Sequence, residues 1–303
     1  MHCVELIEVT KSFGTVPAVS DLSLSVPQGS VYGFIGPNGS GKTTTLRMII
    51  HILRPDRGTV RVFGGELRDA RSSRIGYLPE ERGLYRRMKV RSLLRFYGDL
   101  KAGRSVEAEV DQWIERLDLA RYAHHRIEAL SKGTSQRVQF AAAVVARPEL
   151  VILDEPFSGL DPVNADVLRA AILDLRRHGA TVILSTHDMT VAEQMCDAIF
   201  MIFRGRKVLD GPLSQIQARY GSDTIRLALD HDARPEDPWP GVESSRDFGQ
   251  YRELRLAPGA DPQAVLHAAL KRGSVRRFEI AHPSLHDIFV RIAGVPEPDP
   301  SHA

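Results

Sequence analysis

The sequence predicts an α/β protein built around a phosphate-binding loop and followed by a small α+β module. A glycine-rich segment stands between a predicted strand and a predicted helix. Residues 150–153 are continuously apolar, which is typical of a strand buried on both faces of a parallel sheet, and residues 181–184 are predicted to be another buried strand. Beyond Tyr220 the pattern changes to short alternating strands and capped helices, which indicates a second core.

Length and composition limit the class of protein. With 303 residues, 43% hydrophobic and 26% charged, the chain is long enough for one large domain or two modest ones. A net charge of +2 gives no argument for a nucleic-acid partner. Two cysteines are too few for a disulfide framework, which favours a reducing cytosol. No signal-peptide pattern opens the chain, and no segment approaches the roughly 18 apolar residues of a membrane span. We therefore expect any membrane role to depend on a partner.

Two half-buried strands are predicted near the N-terminus, at residues 4–9 and 22–26, where apolar and polar residues alternate. Phe13 lies between them, at a position that strand alternation does not require. Its ring either stacks on a nucleobase or covers an edge of the core, and the residues alone favour the second explanation.

Residues 36–43, here called the phosphate loop, fit the pattern G-x-x-x-x-G-K-[ST] at every defined position. An apolar run at 31–35 predicts the strand before it. The apolar stripe of a helix follows, at Leu46, Ile49, Ile50 and Leu53. Glycines let the backbone wrap its N–H groups around phosphate oxygens, and the helix adds the positive end of its dipole. Lys42 supplies a cation for the β- and γ-phosphates, and Thr43 a hydroxyl for Mg²⁺.

The central part of the chain contributes strands at 59–63 and 75–79 and helices at 90–100 and 106–117. A charged, arginine-rich segment at residues 80–91 follows the second strand. Such a run is usually a solvated face, but apolar and aromatic residues interrupt this one, which also fits a contact surface for a partner protein. The interrupting residues are Leu84, Tyr85 and Met88.

Ionisable side chains follow the two predicted buried strands. Asp154 and Glu155 end the first, at the edge where doubly wound sheets bind ligands, and burying two charges there for structure alone would be costly. Asp154 is placed to hold Mg²⁺ directly or through water, and Glu155 to polarise an attacking water. His187, just after the second strand, either serves this site or is structural. The Ser-x-Gly turn at Ser131 and Gly133 opens a helix and is a second candidate anion site.

The C-terminal part completes the prediction. A helix at 162–177 carries Val163, Val167, Ala171 and Leu175 on one side. An apparent hairpin joins residues 198–203 and 207–210. Beyond it, alternating strands are predicted around 225–229, 254–256 and 278–280, with helices opened by Asp261-Pro262 and by a capping box at Ser284 and Asp287. Residues 235–240 are predicted to be a loop, and residues 295–303 a proline-rich disordered tail.

The order of these motifs resembles that of the ATP-binding subunits of ATP-binding cassette (ABC) transporters, over about residues 3–220. The resemblance is carried by the phosphate loop, the segment Leu130–Arg137, the Asp154-Glu155 strand end, the Ser-Gly-Leu-Asp segment at 158–161 and His187. It implies a cassette with a RecA-like core, an antiparallel β subdomain and a helical subdomain at residues 1–220. A small α+β module at 221–294 and the tail at 295–303 would follow.

The resemblance also implies roles for individual residues in ATP hydrolysis. Catalysis would involve Lys42, Glu155 as general base and His187 as a γ-phosphate sensor, and Thr43, Asp154 and Glu80 would hold Mg²⁺. Phe13 would stack on adenine, against the preference from the residues alone. The residues implied to bind ATP are Phe13, Gly36, Pro37, Asn38, Gly39, Ser40, Gly41, Lys42, Thr43, Thr44, Glu80, Ser131, Gly133 and Asp161.

Partners follow from the same resemblance. In this family the signature turn, here residues 131–133, contacts ATP held by the opposite subunit. The resemblance therefore implies a head-to-tail dimer, either a homodimer or a pair with a paralogous ATPase subunit. The run at 76–85 and the C-terminal module resemble exporter ATPases of the sodium-extrusion and drug-resistance type, which work with separate integral membrane permeases. This implies export from a position on the cytoplasmic face of the cell membrane, with no nucleic acid involved.

Glu80 departs from the family pattern, which usually has glutamine at this position. A carboxylate can hold Mg²⁺ more strongly than an amide, but it would repel the γ-phosphate without the metal. Ser135 is a milder departure, with little consequence for backbone contacts.

Two alternatives remain open from the sequence. A soluble ABC ATPase of DNA repair or translation is one, although no sustained heptads separate the phosphate loop from Leu130 and the chain has a single cassette. In the other, the C-terminal module is a ligand sensor that gates the ATPase, rather than a dimerisation or stability element.

Overall fold

The computed structural model describes residues 2–65, 73–81, 83–220, 224–230, 238–281 and 283–294. Its contacts divide the chain into two compact units, Met1–Leu213 and Ser214–Ala303. The strands are β1 (His2–Phe13), β2 (Val16–Pro27), β3 (Val31–Ile35), β4 (Arg57–Val62), β5 (Ile75–Leu78), β6 (Leu150–Asp154), β7 (Thr181–Thr186), β8 (Ala198–Phe203), β9 (Arg206–Pro212), β10 (Thr224–Leu229), β11 (Val242–Asp247), β12 (Arg252–Leu256) and β13 (Val275–Ala281). The α-helices are α1 (Lys42–Ile49), α2 (Val90–Ala102), α3 (Glu107–Arg116), α4 (Lys132–Val144), α5 (Pro162–Arg177), α6 (Met189–Met195), α7 (Leu213–Arg219), α8 (Pro262–Arg272) and α9 (Leu285–Ala293).

A six-stranded sheet with the order β5-β6-β7-β3-β8-β9 forms the centre of the first unit. Its first five strands run parallel, and β9 pairs antiparallel with β8 around a turn at Arg204 and Gly205. Every residue of β3, β6 and β7 is buried, which confirms the prediction from continuous apolar sequence. The carboxyl ends of β5, β6, β7 and β3 therefore meet at one edge of this sheet.

A three-stranded antiparallel sheet, ordered β2-β1-β4, packs into the same core. Its first two strands are longer than the sequence predicted, because pairing continues through the polar Lys11 and Ser12 by way of several register shifts. Phe13 consequently ends β1, directly opposite Val16, and is not in a loop.

The helical part of the cassette consists of α2, α3 and α4. Trp113 of α3 meets Phe140 of α4 edge to face at 5.8 Å, and the buried Arg137 of α4 donates to the Leu117 carbonyl at 2.5 Å. That bond satisfies a free carbonyl at the end of α3. The helix α4 also packs closely on β5, since a Cβ at Gly76 would lie 2.5 Å from the Ala143 carbonyl.

Two helix predictions need correction. The apolar stripe predicted α1 as far as Leu53, but the helix ends at Ile49, and His51 adopts a left-handed φ of 58°. The apolar side predicted for α5 is wrong in part: Val163 is exposed, whereas Leu168, Ala171 and Ile172 form the buried stripe. Val163 lies in the first turn, before the helix reaches the core.

The second unit is an α+β module around a four-stranded antiparallel sheet, ordered β11-β12-β10-β13. Val265 and Ala269 of α8 pack on Ile225, Leu227, Leu254 and Leu256 of that sheet. The predicted caps of both helices are confirmed, with Asp261 before Pro262 and a capping box at Ser284 and Asp287. Residues 235–237 of the predicted loop, and the predicted tail at 295–303, lie outside the described residues.

Candidate nucleotide site

The sheet edge gathers segments that are far apart in the sequence. The phosphate loop follows β3, Asp154 and Glu155 stand at the end of β6, and His187 follows β7. Glu80 follows β5, the next strand beyond β6. Because these strands are parallel neighbours, their ends deliver a cation, a hydroxyl, carboxylates and an imidazole to one place.

The phosphate loop needs glycine at particular positions. Gly39 and Gly41 have φ angles of 77° and 108°, a region that side chains disfavour. Gly36 is required for space, since a Cβ there would lie 2.3 Å from the Ile202 carbonyl and 2.7 Å from Ser40 Oγ. The loop backbone can therefore turn tightly into α1, which starts at Lys42. The remaining loop residues Pro37, Asn38 and Ser40 lie within this turn, and Thr44 is in the first turn of α1.

Lys42 is buried, and its ammonium lies inside the loop. Its Nζ donates to the Gly36 carbonyl at 2.6 Å and to the Pro37 carbonyl at 3.2 Å, and lies 3.9 Å from Glu155 Oε1. Burial lowers the pKa of Lys42, while Glu155, Asp154 and Glu80 act in the opposite direction. Phosphate oxygens could replace the two carbonyls as partners, and their charge would favour the ammonium form.

Thr43 and Asp154 form an oxygen-rich pair. Thr43 Oγ1 donates to Asp154 Oδ2 at 3.0 Å, and Asp154 is fully buried. Its other oxygen, Oδ1, is buried and has no hydrogen-bond partner among the described residues. An orphaned buried carboxylate oxygen beside a hydroxyl fits Mg²⁺, which prefers oxygen ligands. Within the described part of the chain, no three His, Cys, Asp or Glu side chains could hold an ion on their own. An ion here would need phosphate oxygens or water as further ligands, as Mg²⁺ commonly does.

Glu155 and His187 are in direct contact. His187 Nδ1 lies 2.8 Å from Glu155 Oε1, and the histidine side chain is 54% exposed. Glu155 is only 7% exposed and has a positive φ of 50°, an uncommon conformation for a residue with a side chain. Such strain is typical of residues that a functional site holds in place.

Glu80 reaches the same region from the other side. It lines a cavity of about 280 Å³ together with Thr43, Asp154, Arg47 and Tyr77. Glu80 is an exposed residue that lines the same cavity as the candidate metal ligands.

The other predicted site residues lie apart from this cluster. Phe13 is 52% exposed at the end of the β1–β2 hairpin, with Lys11 Nζ 5.9 Å from its ring centre, so it does not cover a core edge. Among the described residues, no hydrogen bond or ion pair joins Phe13, Ser131 or Asp161 to the phosphate loop.

The signature turn is linked to Asp161 instead. Ser131 caps α4 by accepting from Thr134 N at 3.2 Å. A Cβ at Gly133 would lie 2.7 Å from Asn164 Nδ2, and Asn164 N donates to Asp161 Oδ1 at 2.9 Å. These hydrogen bonds from Asn164 lower the pKa of Asp161.

Sequence reasoning missed two residues near the site, Asn164 and Gln139. Gln139 is buried in α4 and donates to the backbone carbonyls of Pro79 and Glu81. A side chain that bonds to carbonyls leaves no pattern in a sequence, although a glutamine on the buried side of a helix is a weak signal.

The fold and the site together define a P-loop nucleoside triphosphatase. A phosphate loop between β3 and α1, with acidic residues at the end of a neighbouring parallel strand, is the arrangement that binds a nucleoside triphosphate.

Comparison with known proteins gives the family. A family model described as "ABC transporter" matches residues 19–158, and one described as "ATP-binding protein DrrA1-3-like, C-terminal domain" matches residues 211–293. A shorter match, to an AAA domain model, falls on residues 125–193, within the first unit.

Relatives match along nearly the whole chain. The ABC transporter ATP-binding protein YhaQ of Bacillus subtilis is 38% identical over 288 residues, which cover 94% of this chain and 97% of that protein. The Nod factor export ATP-binding protein I of Paraburkholderia xenovorans is 35% identical, over 96% and 97% of the two chains. A solved structure of an ATP-binding subunit of an ABC transporter is 29% identical, with a TM-score of 0.67 over 72% of this chain and 93% of that one.

The chain belongs to the ATP-binding subunits of ABC transporters. It is therefore an ATP-binding ATPase whose hydrolysis is coupled to transport, and the predicted cassette fold is confirmed. Of the helices that the structure describes, none has the length and apolar character needed to cross a membrane.

Proposed function

We propose that this chain hydrolyses ATP–Mg²⁺ at the edge of its parallel sheet and so drives export through a separate membrane permease. The observation that carries the proposal is the double contact at this edge, where Thr43 bonds to Asp154 and His187 bonds to Glu155 beside Lys42. These residues come from three separate segments, and hydrolysis of a phosphoanhydride requires this combination of groups.

The roles proposed for these side chains follow from their positions. Lys42 exchanges its two loop carbonyls for β- and γ-phosphate oxygens. Thr43, Asp154 and Glu80 hold Mg²⁺, which when bound neutralises charge on the phosphates. Glu155 takes a proton from the attacking water, and His187 holds the carboxylate until the γ-phosphate arrives.

The rest of the site binds and orients the nucleotide. Backbone N–H groups of residues 38–44, at the positive end of α1, hold the phosphates. Phe13 is exposed enough to stack on the adenine. Asp161 caps α5 and keeps the segment after Glu155 in place.

We propose further that two copies of the cassette form a head-to-tail dimer, either of this chain or of this chain and a paralogue. Ser131 and Gly133 are then the second wall of the partner's site. This is supported by the absence of bonds between the described signature turn and the chain's own phosphate loop, and by the exposure of Ser131.

The permease would dock beside the Glu80 segment. An apolar cavity of about 380 Å³ there is lined by Tyr77, Leu84, Tyr97, Leu100 and Lys101. Tyr85 and Phe96, which contact each other edge to face, are exposed beside it. This arrangement fits the interpretation of residues 80–91 as a contact surface and supports the proposed position of the ATPase on the cytoplasmic face of the membrane.

Export is proposed from the relatives. The Nod factor protein carries export in its name, and the C-terminal module matches the DrrA1-3-like family. The comparisons do not favour a soluble ATPase of DNA repair or translation.

Reconstitution tests this proposal. The chain is purified with a co-expressed multi-span permease, and ATP hydrolysis is measured with and without that permease in lipid vesicles. We expect the permease to co-purify and to change the hydrolysis rate. Co-purification with ribosomes or DNA, with no membrane protein bound, would contradict the proposal.

The C-terminal module is proposed to regulate the cassette, which we take to end near residue 220. A chain truncated after Tyr220 is assayed for hydrolysis with and without a transported compound. If the module is a sensor, truncation abolishes the response to that compound. An unchanged response would leave a role in dimerisation or stability.

A further inference from the structure

The segment that carries Glu80 lies between two cavities. The inner cavity, of about 280 Å³, contains Thr43, Asp154 and Glu80 on its walls. The outer cavity, of about 380 Å³, is lined in part by Gln139. Tyr77, Pro79 and Gly83 line both, so the described residues 77–81 and 83 form a thin partition.

Gln139 bonds to this partition on both sides of Glu80. Its Nε2 donates to the Glu81 carbonyl at 3.2 Å and to the Pro79 carbonyl at 3.4 Å. A single buried amide therefore bonds to the carbonyls of the two residues on either side of Glu80. Both distances are long for an N–H···O hydrogen bond, and the bond to Glu81 is the shorter of the two.

The burial of Gln139 and its unpaired oxygen indicate that this residue has a role other than packing. The side chain is 5% exposed, and its Oε1 is buried without a hydrogen-bond partner among the described residues. A buried unsatisfied acceptor destabilises the fold, so an apolar residue would serve packing better. The cost indicates that the donating amide is needed.

The helix that carries Gln139 is well placed to transmit movement. One turn on, α4 packs so closely on β5 that Gly76 has no room for a side chain. One turn back, Gln136 Nε2 donates to the Pro156 carbonyl at 3.2 Å, immediately after Glu155. The same helix begins at the signature turn. A shift of α4 therefore reaches the segments after both β5 and β6.

We propose that Gln139 is a positioning residue for Glu80. By holding the carbonyls of residues 79 and 81, it sets where the Glu80 carboxylate stands relative to Thr43 and Asp154, and it links that position to α4. The proposal rests on the proposed function, because it takes Glu80 as a metal ligand in the ATP-bound state. Removal of the Gln139 amide is then equivalent to partial removal of Glu80.

Metal binding tests this link without relying on turnover. The full-length chain is titrated with Mn²⁺ in the presence of a non-hydrolysable ATP analogue, and free Mn²⁺ is followed by electron paramagnetic resonance. The variants are Gln139→Met, Glu80→Ala and the double variant. Gln139→Ala is measured as well, so that the test does not depend on methionine fitting the site. Gln112→Met, at an exposed position on α3, is the control, and thermal midpoints show that each variant folds.

We expect Gln139→Met and Gln139→Ala each to weaken Mn²⁺ binding roughly tenfold, as is typical of residues that orient metal ligands. The double variant should be no weaker than Glu80→Ala alone, because the amide acts only through that carboxylate. Gln112→Met should bind as the unchanged chain does. The Mg²⁺ concentration for half-maximal hydrolysis should shift in the same order.

Two results would overturn the inference in distinguishable ways. If Glu80→Ala weakens Mn²⁺ binding but the folded Gln139 variants do not, or if the two effects multiply, Gln139 does not act through Glu80. If Glu80→Ala itself leaves Mn²⁺ binding unchanged, the metal role proposed for Glu80 fails and the inference fails with it.

Discussion

The phosphate loop and the signature turn belong to the same cassette but differ in how completely the chain surrounds them. Around the loop, Lys42, Asp154 and Glu155 are buried, and hydrogen bonds connect residues from three strand ends. Around the signature turn, Ser131 is exposed and bonds to the first turn of its own helix.

The contrast shows which catalytic groups are already in position within a single chain. The loop side already has its cation, its carboxylates and the strained Glu155 in place. The turn side offers a helix N-terminus and a hydroxyl to solvent. We interpret the first as a binding and catalytic surface, and the second as a surface that completes another copy's site. Variants of the two surfaces should therefore fail in different ways.

The largest effect is expected at Glu155. Replacement by glutamine keeps the shape but removes the base, so hydrolysis should fall by on the order of 10²–10⁴, while ATP binding persists. Steady-state phosphate release and equilibrium ATP binding measure the two quantities. Glu115→Gln, at an exposed position of α3, should leave both unchanged. Near-normal hydrolysis in Glu155→Gln would remove Glu155 as the base.

The second largest effect is expected on the binding of ATP to the phosphate loop. Lys42→Met removes the ammonium and its hydrogen bonds to phosphate, which are worth about 1.5–3 kcal/mol, or roughly tenfold to 150-fold in affinity. This loss is measured by isothermal titration with ATP on the monomeric chain without its permease, here called the separated chain. An unchanged affinity would show that the buried ammonium does not turn from the loop carbonyls to the phosphates.

A variant of the signature turn should lower the rate of hydrolysis without lowering the affinity of the chain for ATP. Ser131→Asp keeps a good helix cap but places a negative charge where a γ-phosphate is expected, and Ser131→Asn keeps the cap without the charge. We expect hydrolysis by Ser131→Asp to fall roughly tenfold to 100-fold, as for the loss of a hydrogen bond to a charged group. Affinity for ATP in the separated chain should not change. A weakened affinity in that chain would place Ser131 in its own site.

The smallest effect is expected at Phe13. Its exposure limits the energy of stacking, so Phe13→Ala should weaken ATP binding by about 1 kcal/mol, roughly fivefold. Phe13→Trp should retain or improve the affinity. The same comparison with inorganic triphosphate, which has no base to stack, should show no difference between the variants.

Much of this fold could be predicted because burial leaves a strong pattern. The strand β3 was predicted with its observed ends, since continuous apolar sequence can be buried on both faces of a parallel sheet. The strand β11 was missed, because Val242 is its only apolar residue and it lies at a sheet edge where most side chains are exposed. The helices α6 and α7 are only seven residues long, too short for a periodicity to stand out.

The site residues that belong to sequence motifs could be predicted. The phosphate loop and the Asp154-Glu155 pair could be recognised from residue types and their position after apolar strands. The contact of His187 with Glu155 could not, because it depends on which strands are neighbours in the sheet. The bonds of Gln139 to backbone carbonyls are determined by packing of α4 on β5 and have no counterpart in a residue pattern.

We interpret the phosphate loop of one copy and the signature turn of another as the two walls of one site. This arrangement is tested by mixing two variants that are each expected to be impaired, Lys42→Met and Ser131→Asp, and measuring ATP hydrolysis. A mixed dimer contains one site with an intact loop from the second variant and an intact turn from the first. We expect hydrolysis to rise on mixing above that of either variant alone, and to increase with the fraction of mixed dimers. Activity no greater than the sum of the two separate variants, with mixed dimers shown to form, would contradict it.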